Sequence, residues 1–261
     1  MFDLSYSGHI EGSIYSHCWF YESARRSFEH DGYGDICGGI TAIALTAFMV
    51  ESYLNFSCEK IFNPFSRADE LLSSPPPGFH EIISDKSLHG IDPHERVAIA
   101  YGFNEQKETL IKAFDEQISK SKKNKFKKLC NDKSFYEIDD ELRFSPYAKF
   151  YALSETLYND GVFKKNHRDL IKYLFSIRNT LAHGRSEYVK KTFSYKGSES
   201  VALSSELVPP LQADWQEKCS IENAKKHFIK SCEVINLISF NAFKDESPFQ
   251  MPTQIGSFRH A

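Results

Sequence analysis

The sequence predicts an all-α fold, mainly a helical bundle, and three observations carry that expectation. Apolar residues recur at helical spacing in two long stretches, Leu170, Tyr173, Leu174, Ile177 and Leu181 in one and Ile221, Ala224, Phe228, Cys232, Ile235 and Ile238 in the other, so each presents one apolar stripe to a core. Helix-start signals, Ser145-Pro146 and Ser220, stand just ahead of apolar segments; serine accepts from an unpaired backbone N–H, and proline supplies a φ suited to the first turn. No repeat recurs at any period, which sets solenoids aside. With 261 residues, 41% of them hydrophobic, the chain is long enough for a genuine core. It is read as one helical domain over 1–261, with a partly irregular insertion at about 63–144 and an irregular tail from about 246.

In chain order, residues 13–29 read as a helix with a mixed aromatic face, and DGYGD turns the chain. Gly32, Gly34, Gly38 and Gly39 do not make a phosphate loop, because no strand precedes them and no Lys-Ser/Thr follows; a helix-to-helix connection is the simpler expectation. From Ile36 to about Phe56 the stripe Ile40, Ile43, Ala44, Ala47, Glu51, Leu54 and a second one, Leu45, Met49, Tyr53, Phe56, predict a helix apolar nearly all round and therefore central. Its uncharged run, Ile36 to Val50, is 15 residues long, short of a membrane span. Glu51 lies on the apolar stripe, where a carboxylate is costly unless paired. Either Arg178 is its partner, or Glu51 reaches solvent at a helix end.

The segment 63–95 reads as irregular, with Pro75, Pro76 and Pro77 forcing an extended stretch. His80, His89 and His94 fit no metal-site spacing. Short helices follow at 96–101 and 105–119, the second ending in the run SKSKKNKFKKL. Lys122, Lys123, Lys125, Lys127 and Lys128 in that run, with Phe126 among them, suit contact with a phosphate backbone and a stacked base, or else a solvated helix end beside Glu137, Asp139, Asp140 and Glu141. A helix from Ser145 to about Tyr158 leads through Asn159-Asp160-Gly161 into the stretch 167–185. The residues 189–207, rich in β-branched and hydroxyl side chains around Lys196-Gly197, predict a short β-hairpin. The last helix starts near Ser220.

A formal charge of −3 supplies no global attraction to a polyanion, so nucleic-acid binding would need local patches. The six cysteines show no CxxC pair and no clustering with histidine, which fits reduced thiols in a cytoplasmic protein without a metal or other cofactor. The start, MFDLSYSGHIE, lacks the basic region and apolar run of a secretory signal, and no membrane association is expected.

The chemistry-bearing stretch is HRDLIKYLFSIRNTLAHGR, 167–185. Its apolar stripe leads to Arg178, Asn179, His183 and Gly184, glycine being the usual helix stop. At roughly 100° per residue, Arg178 and His183 point about 140° apart on an ideal helix. Either the helix ends near Ala182 and His183 swings round, or a second chain completes the site.

The run SIRNTLAHG at the end of a late amphipathic helix, with another long amphipathic helix after it, resembles the HEPN family (higher eukaryotes and prokaryotes nucleotide-binding), whose signature is an arginine, a polar residue and a histidine about four to six positions on. The helix containing ALTAFMVESYLN is similar to early helices of such domains, where an acidic residue often lies near the arginine. The spacing alone is not distinctive, since Arg25 and His30 share it; the following Asn179, the Gly184 and the late-helix context are. The resemblance spans about 36–56 and 145–240. It implies a HEPN-like helical bundle and a metal-independent ribonuclease, in which the ribose 2′-hydroxyl attacks the adjoining phosphate. His183 would move the proton, Arg178 would hold the phosphate, Asn179 would position ligand or imidazole, and Glu51 would support Arg178. It further implies a homodimer with a shared cleft, RNA as substrate, a role as toxin or phage-defence effector, and an antitoxin or regulatory protein as partner. The alternative is a non-catalytic HEPN-like module that dimerises and binds nucleotide, RNA or another protein.

Overall fold

In the computed structural model the described residues are 6–11, 16–28, 34–84, 88, 90–157, 163, 165–183, 213–245, 247–250 and 255–260. The fold is all-α. Its elements are β1 (Tyr6–Glu11), α1 (Ser16–Arg26), α2 (Gly34–Phe62), α3 (Pro64–Ser73), α4 (Phe79–Ile83), α5 (Pro93–Ala100) and α6 (Phe103–Gln117), then α7 (Lys120–Asp132), α8 (Phe135–Leu142), α9 (Pro146–Thr156), α10 (Lys165–His183), α11 (Asp214–Lys218), α12 (Ile221–Phe243) and β2 (Ile255–His260). The two strands pair antiparallel, Tyr6 opposite His260 and Glu11 opposite Ile255.

Helix α2 is the axis, packed by α1, α12, α9, α10, α6, α8 and α3. Enclosure on so many sides explains its composition: Ala42, Ile43, Ala47, Met49, Val50, Tyr53, Leu54, Cys58 and Ile61 are all buried. It is also long and apolar enough, by length and composition, to cross a membrane, and its central position among the other helices accounts for that. Gly38 and Gly39 lie within α2, not in a turn, and serve close approach. A Cβ on Gly39 would fall 1.7 Å from the Cys219 carbonyl oxygen, so the chain ahead of α12 touches the α2 backbone there.

The starts of the helices are satisfied as the sequence suggests. Ser145 and Ser220 accept from Ala148 N and Asn223 N, and Ser134 forms a reciprocal capping box with Glu137; each cap is worth about 1 kcal/mol. The expected insertion is where the structure departs most from the sequence expectation. Helices α3 to α8 occupy most of it, and α6, α7 and α8 send Leu110, Phe114, Phe126, Phe135, Ile138 and Leu142 into the same core as α2, α9, α10 and α12. Only α3, α4, α5 and the start of α6 build a satellite cluster, around Ala68, Phe79, Val97 and Phe103. The lysine run is not the end of α6 but a helix of its own, α7. Residues 189–207, where a hairpin is expected, lie outside the described residues, as do Gly184 and 159–161. Part of the C-terminal tail is docked: Phe249 stacks on Tyr21 at 4.3 Å between ring centroids, and His17 Nε2 is 3.1 Å from the Pro248 carbonyl oxygen.

Candidate functional site

Helix α10 is anchored by Leu170, Ile171, Leu174, Phe175 and Ile177, all buried, with Tyr173 and Leu181 half-buried beside them. It stays helical through His183, so the histidine does not swing round. Arg178 is half-buried, while Asn179 and His183 are exposed.

Arg178 turns toward α2, where Nη2 donates to Glu51 Oε2 at 3.0 Å, and its guanidinium carbon lies 5.2 Å from the Phe175 ring centroid. The side chains keep 24% and 30% of their exposure, so the pair holds α10 to α2 while still facing solvent. The Arg178 Nε is buried and finds no partner among the described residues. Both expectations for Glu51 are met in part: it pairs with Arg178 and keeps access to solvent. The cost of a carboxylate on an apolar stripe is met by a guanidinium from another helix.

One turn beyond Glu51, Asn55 begins a second polar junction that sequence reasoning missed. Lys149 Nζ donates to Asn55 Oδ1 at 2.7 Å and to Asp139 Oδ2 at 2.5 Å, and its side chain is only 3% exposed. Asp139 Oδ1 also accepts from Phe144 N at 3.0 Å. A buried ammonium is tolerated when paired and hydrogen-bonded, and this one ties α9 to α2 and α8. The available signal was a lone lysine between the apolar residues of PYAKFYAL.

Glu51, Asn55, Asp139, Asp140, Arg143, Phe144 and Lys149 line an open cleft of about 390 Å³. Counting Arg178, which is not in the lining but pairs with Glu51, three carboxylates (Glu51, Asp139, Asp140) stand with three cations (Arg143, Lys149, Arg178). With that arginine counted the site is formally neutral, and Arg143, exposed and in no ion pair among the described residues, is a cation free to meet a phosphate there.

The five lysines proposed for RNA separate. Lys123 pairs with Asp115 at 2.9 Å and the exposed Lys125 with Glu141 at 2.6 Å, whereas Lys122, Lys127 and Lys128 are exposed and in no ion pair among the described residues. Phe126 is not available for stacking: it is 1% exposed and packs against Phe114 and Phe144. The same helical period that puts lysines outside on α7 puts Phe126 inside. His80 is exposed, and His94 stacks on Phe65 and lies 3.1 Å from Asp69; His89 is outside the described residues. Among the described residues no three His, Cys, Asp or Glu side chains converge as metal ligands.

All six cysteines are free. Burial pushes the thiols of Cys18, Cys58, Cys130 and Cys219 up and that of Cys232 to about 12, so these five are protonated at neutral pH and poor nucleophiles. The chemistry on offer is therefore an anchored guanidinium, an exposed imidazole on the last described turn of the same helix, and an open polar cleft beside the guanidinium. Compared with protein families, curated proteins and solved structures, the chain matches none.

Proposed function

We propose that this protein is a metal-independent endoribonuclease of the HEPN type. The observation that carries the reading is Arg178, oriented by Glu51 at a cleft and followed on the same helix by an exposed Asn179 and His183. An imidazole takes up the 2′-hydroxyl proton near neutrality. A permanent guanidinium holds the phosphate oxygens as charge builds on them. Attack of the 2′-oxygen on phosphorus expels the 5′-oxygen of the next nucleotide, which takes a proton, and leaves a 2′,3′-cyclic phosphate. Asn179 lies about 40° from His183 on the helix and positions the imidazole or the ribose.

Because α10 continues through His183, the two groups diverge by about 140° and do not close on one phosphate within a chain. The active unit is a homodimer, in which the Arg178 of one protomer meets the histidine of the other. The exposed Lys122, Lys127 and Lys128 follow the RNA backbone away from the cleft. In this reading the protein acts in the cytoplasm as a toxin or phage-defence effector under control of an antitoxin or regulatory partner.

The experiment is RNA cleavage with and without chelator by the parent, His183→Ala and Arg178→Ala, with product ends identified. Chelator-insensitive cleavage to cyclic phosphates, reduced at least 100-fold by either substitution in line with loss of general acid–base or electrostatic catalysis, is expected. Chelator-sensitive cleavage, or activity surviving both substitutions, overturns it. One observation favours a second reading, a helical interaction protein in which Arg178 is core support: Arg178 is engaged with Glu51 and half-buried, as an internal strut would be. In that case Arg178→Ala loses stability, His183→Ala is silent, and no RNA is cut.

A further inference from the structure

The face of α10 that carries His183 is not the face that carries Arg178, and it borders a pocket of its own. Ser176, Thr180 and His183 are spaced i, i+4 and i+7, which keeps them within roughly 60° of one another around the helix. Ser176 and Thr180 line a pocket of about 180 Å³ between α10 and α11, with Tyr173, Asp214, Trp215 and Lys218 as further walls. His183 stands one turn, about 4.5 Å of rise, beyond Thr180.

We propose that this pocket is a nucleobase subsite that feeds the His183 end of the helix. The proposal rests on the ribonuclease reading for its purpose, though not for its geometry. The pocket is small, and it combines a large indole and a phenol ring with a few polar groups. Such a lining suits a flat aromatic ligand, which gains from stacking on a π-face. The polar groups match the rest of a nucleotide. Asp214 accepts hydrogen bonds from the amino or imino edge of a base, the hydroxyls of Ser176 and Thr180 serve either role, and Lys218, exposed at the edge, meets the phosphate. A base seated there delivers its adjoining ribose toward the exposed His183. The cleft beside Arg178 has charged walls and one ring, Phe144, which already packs against Phe114, Phe126 and Phe135, a poorer seat for a base.

The chain has two tryptophans, Trp19 and Trp215, and Trp19 is 57% exposed on α1. In a Trp19→Phe background Trp215 is the sole tryptophan reporter. Titration with a short 2′-deoxyoligonucleotide, which cannot be cleaved by 2′-hydroxyl attack, should quench its fluorescence saturably; AMP alone is the parallel arm. Quenching by the oligonucleotide only assigns the seat to a base within a strand, and equal quenching by AMP assigns it to a free nucleotide. Trp215 is half-buried against the core, so its removal risks the fold. Ser176→Tyr, at an exposed position, plugs the pocket instead and should weaken binding roughly 5- to 150-fold, the range of one stacked base. Absence of saturable quenching by either probe, or quenching unaltered by Ser176→Tyr, overturns the subsite. Parent RNA cleavage with no quenching sinks the subsite alone, whereas quenching without cleavage sinks the nuclease reading alone.

Discussion

Removing either partner of the Lys149–Asp139 pair should have very unequal effects, and the structure sets the asymmetry. The Lys149 side chain is 3% exposed, whereas Asp139 keeps 18% and borders the open cleft. Asp139→Ala therefore strands a buried ammonium with Asn55 as its remaining acceptor among the contacts described above. It also removes the acceptor of Phe144 N. Loss of one partner of a buried pair costs about 3–5 kcal/mol, and the lost bond adds about 1 kcal/mol. Lys149→Met fills the same volume with an unbranched apolar chain and leaves the carboxylate where water reaches it. That change should cost less, about 1–3 kcal/mol, the penalty of an acceptor left short of a partner. The double variant Asp139→Asn/Lys149→Met should recover most of what Asp139→Ala loses, since it contains no unpaired charge. Urea unfolding with unchanged m-values gives the three differences directly. Equal losses for Asp139→Ala and Lys149→Met, or a loss below about 1 kcal/mol for Asp139→Ala, would refute the claim that the ammonium is paired away from water.

Two further predictions follow from other parts of the core. Gly39→Ala places a methyl 1.7 Å from the Cys219 carbonyl oxygen, against backbone on both sides. It should therefore separate α2 from the turn ahead of α12 and cost at least the roughly 1–3 kcal/mol of overpacking, read as a lowered Tm; an unchanged Tm would show that the contact is absent. The other concerns His17, which burial lowers to about 4 despite the Pro248 carbonyl and the Asp245 charge that favour its protonated form. The unfolded chain, with an ordinary value near 6.5, then binds more protons than the folded one between about pH 6.5 and 4. Stability is complete above that window and falls as pH drops through it, by about 3 kcal/mol in all. Unfolding at pH 7 and pH 4 should show this extra loss in the parent and not in His17→Gln; equal pH dependence of the two would overturn it.

Much of the architecture was legible because burial imposes a period. The stripes of α2, α10 and α12 predicted both their helical state and their inward faces, and the enclosure of α2 follows from its lack of a polar side. Glu51 was legible in part: an acid on an apolar stripe calls for a cation or for solvent, and it has both, Arg178 and partial exposure. The segment 63–144 was misjudged in part because its prolines and short elements mask the period. Pro64 and Pro93 in fact start helices, where a missing N–H costs nothing. Lys149 was missed because a single lysine in an apolar helix states a need without naming the acceptor, and Asp139 lies on a different helix.

By itself the sequence determined the all-α class, the central helix, Arg178 as a candidate partner for Glu51, and the angular divergence of Arg178 and His183. These are local consequences of 3.6 residues per turn and of the cost of an unpaired buried charge. Only the tertiary structure decided that α10 stays helical through His183, that Phe126 is spent in the core, that Lys149 is held between Asn55 and Asp139, and that Ser176 and Thr180 share a pocket with Trp215. Each depends on which helices meet, and that is set by the packing of the whole core rather than by the pattern along any one segment.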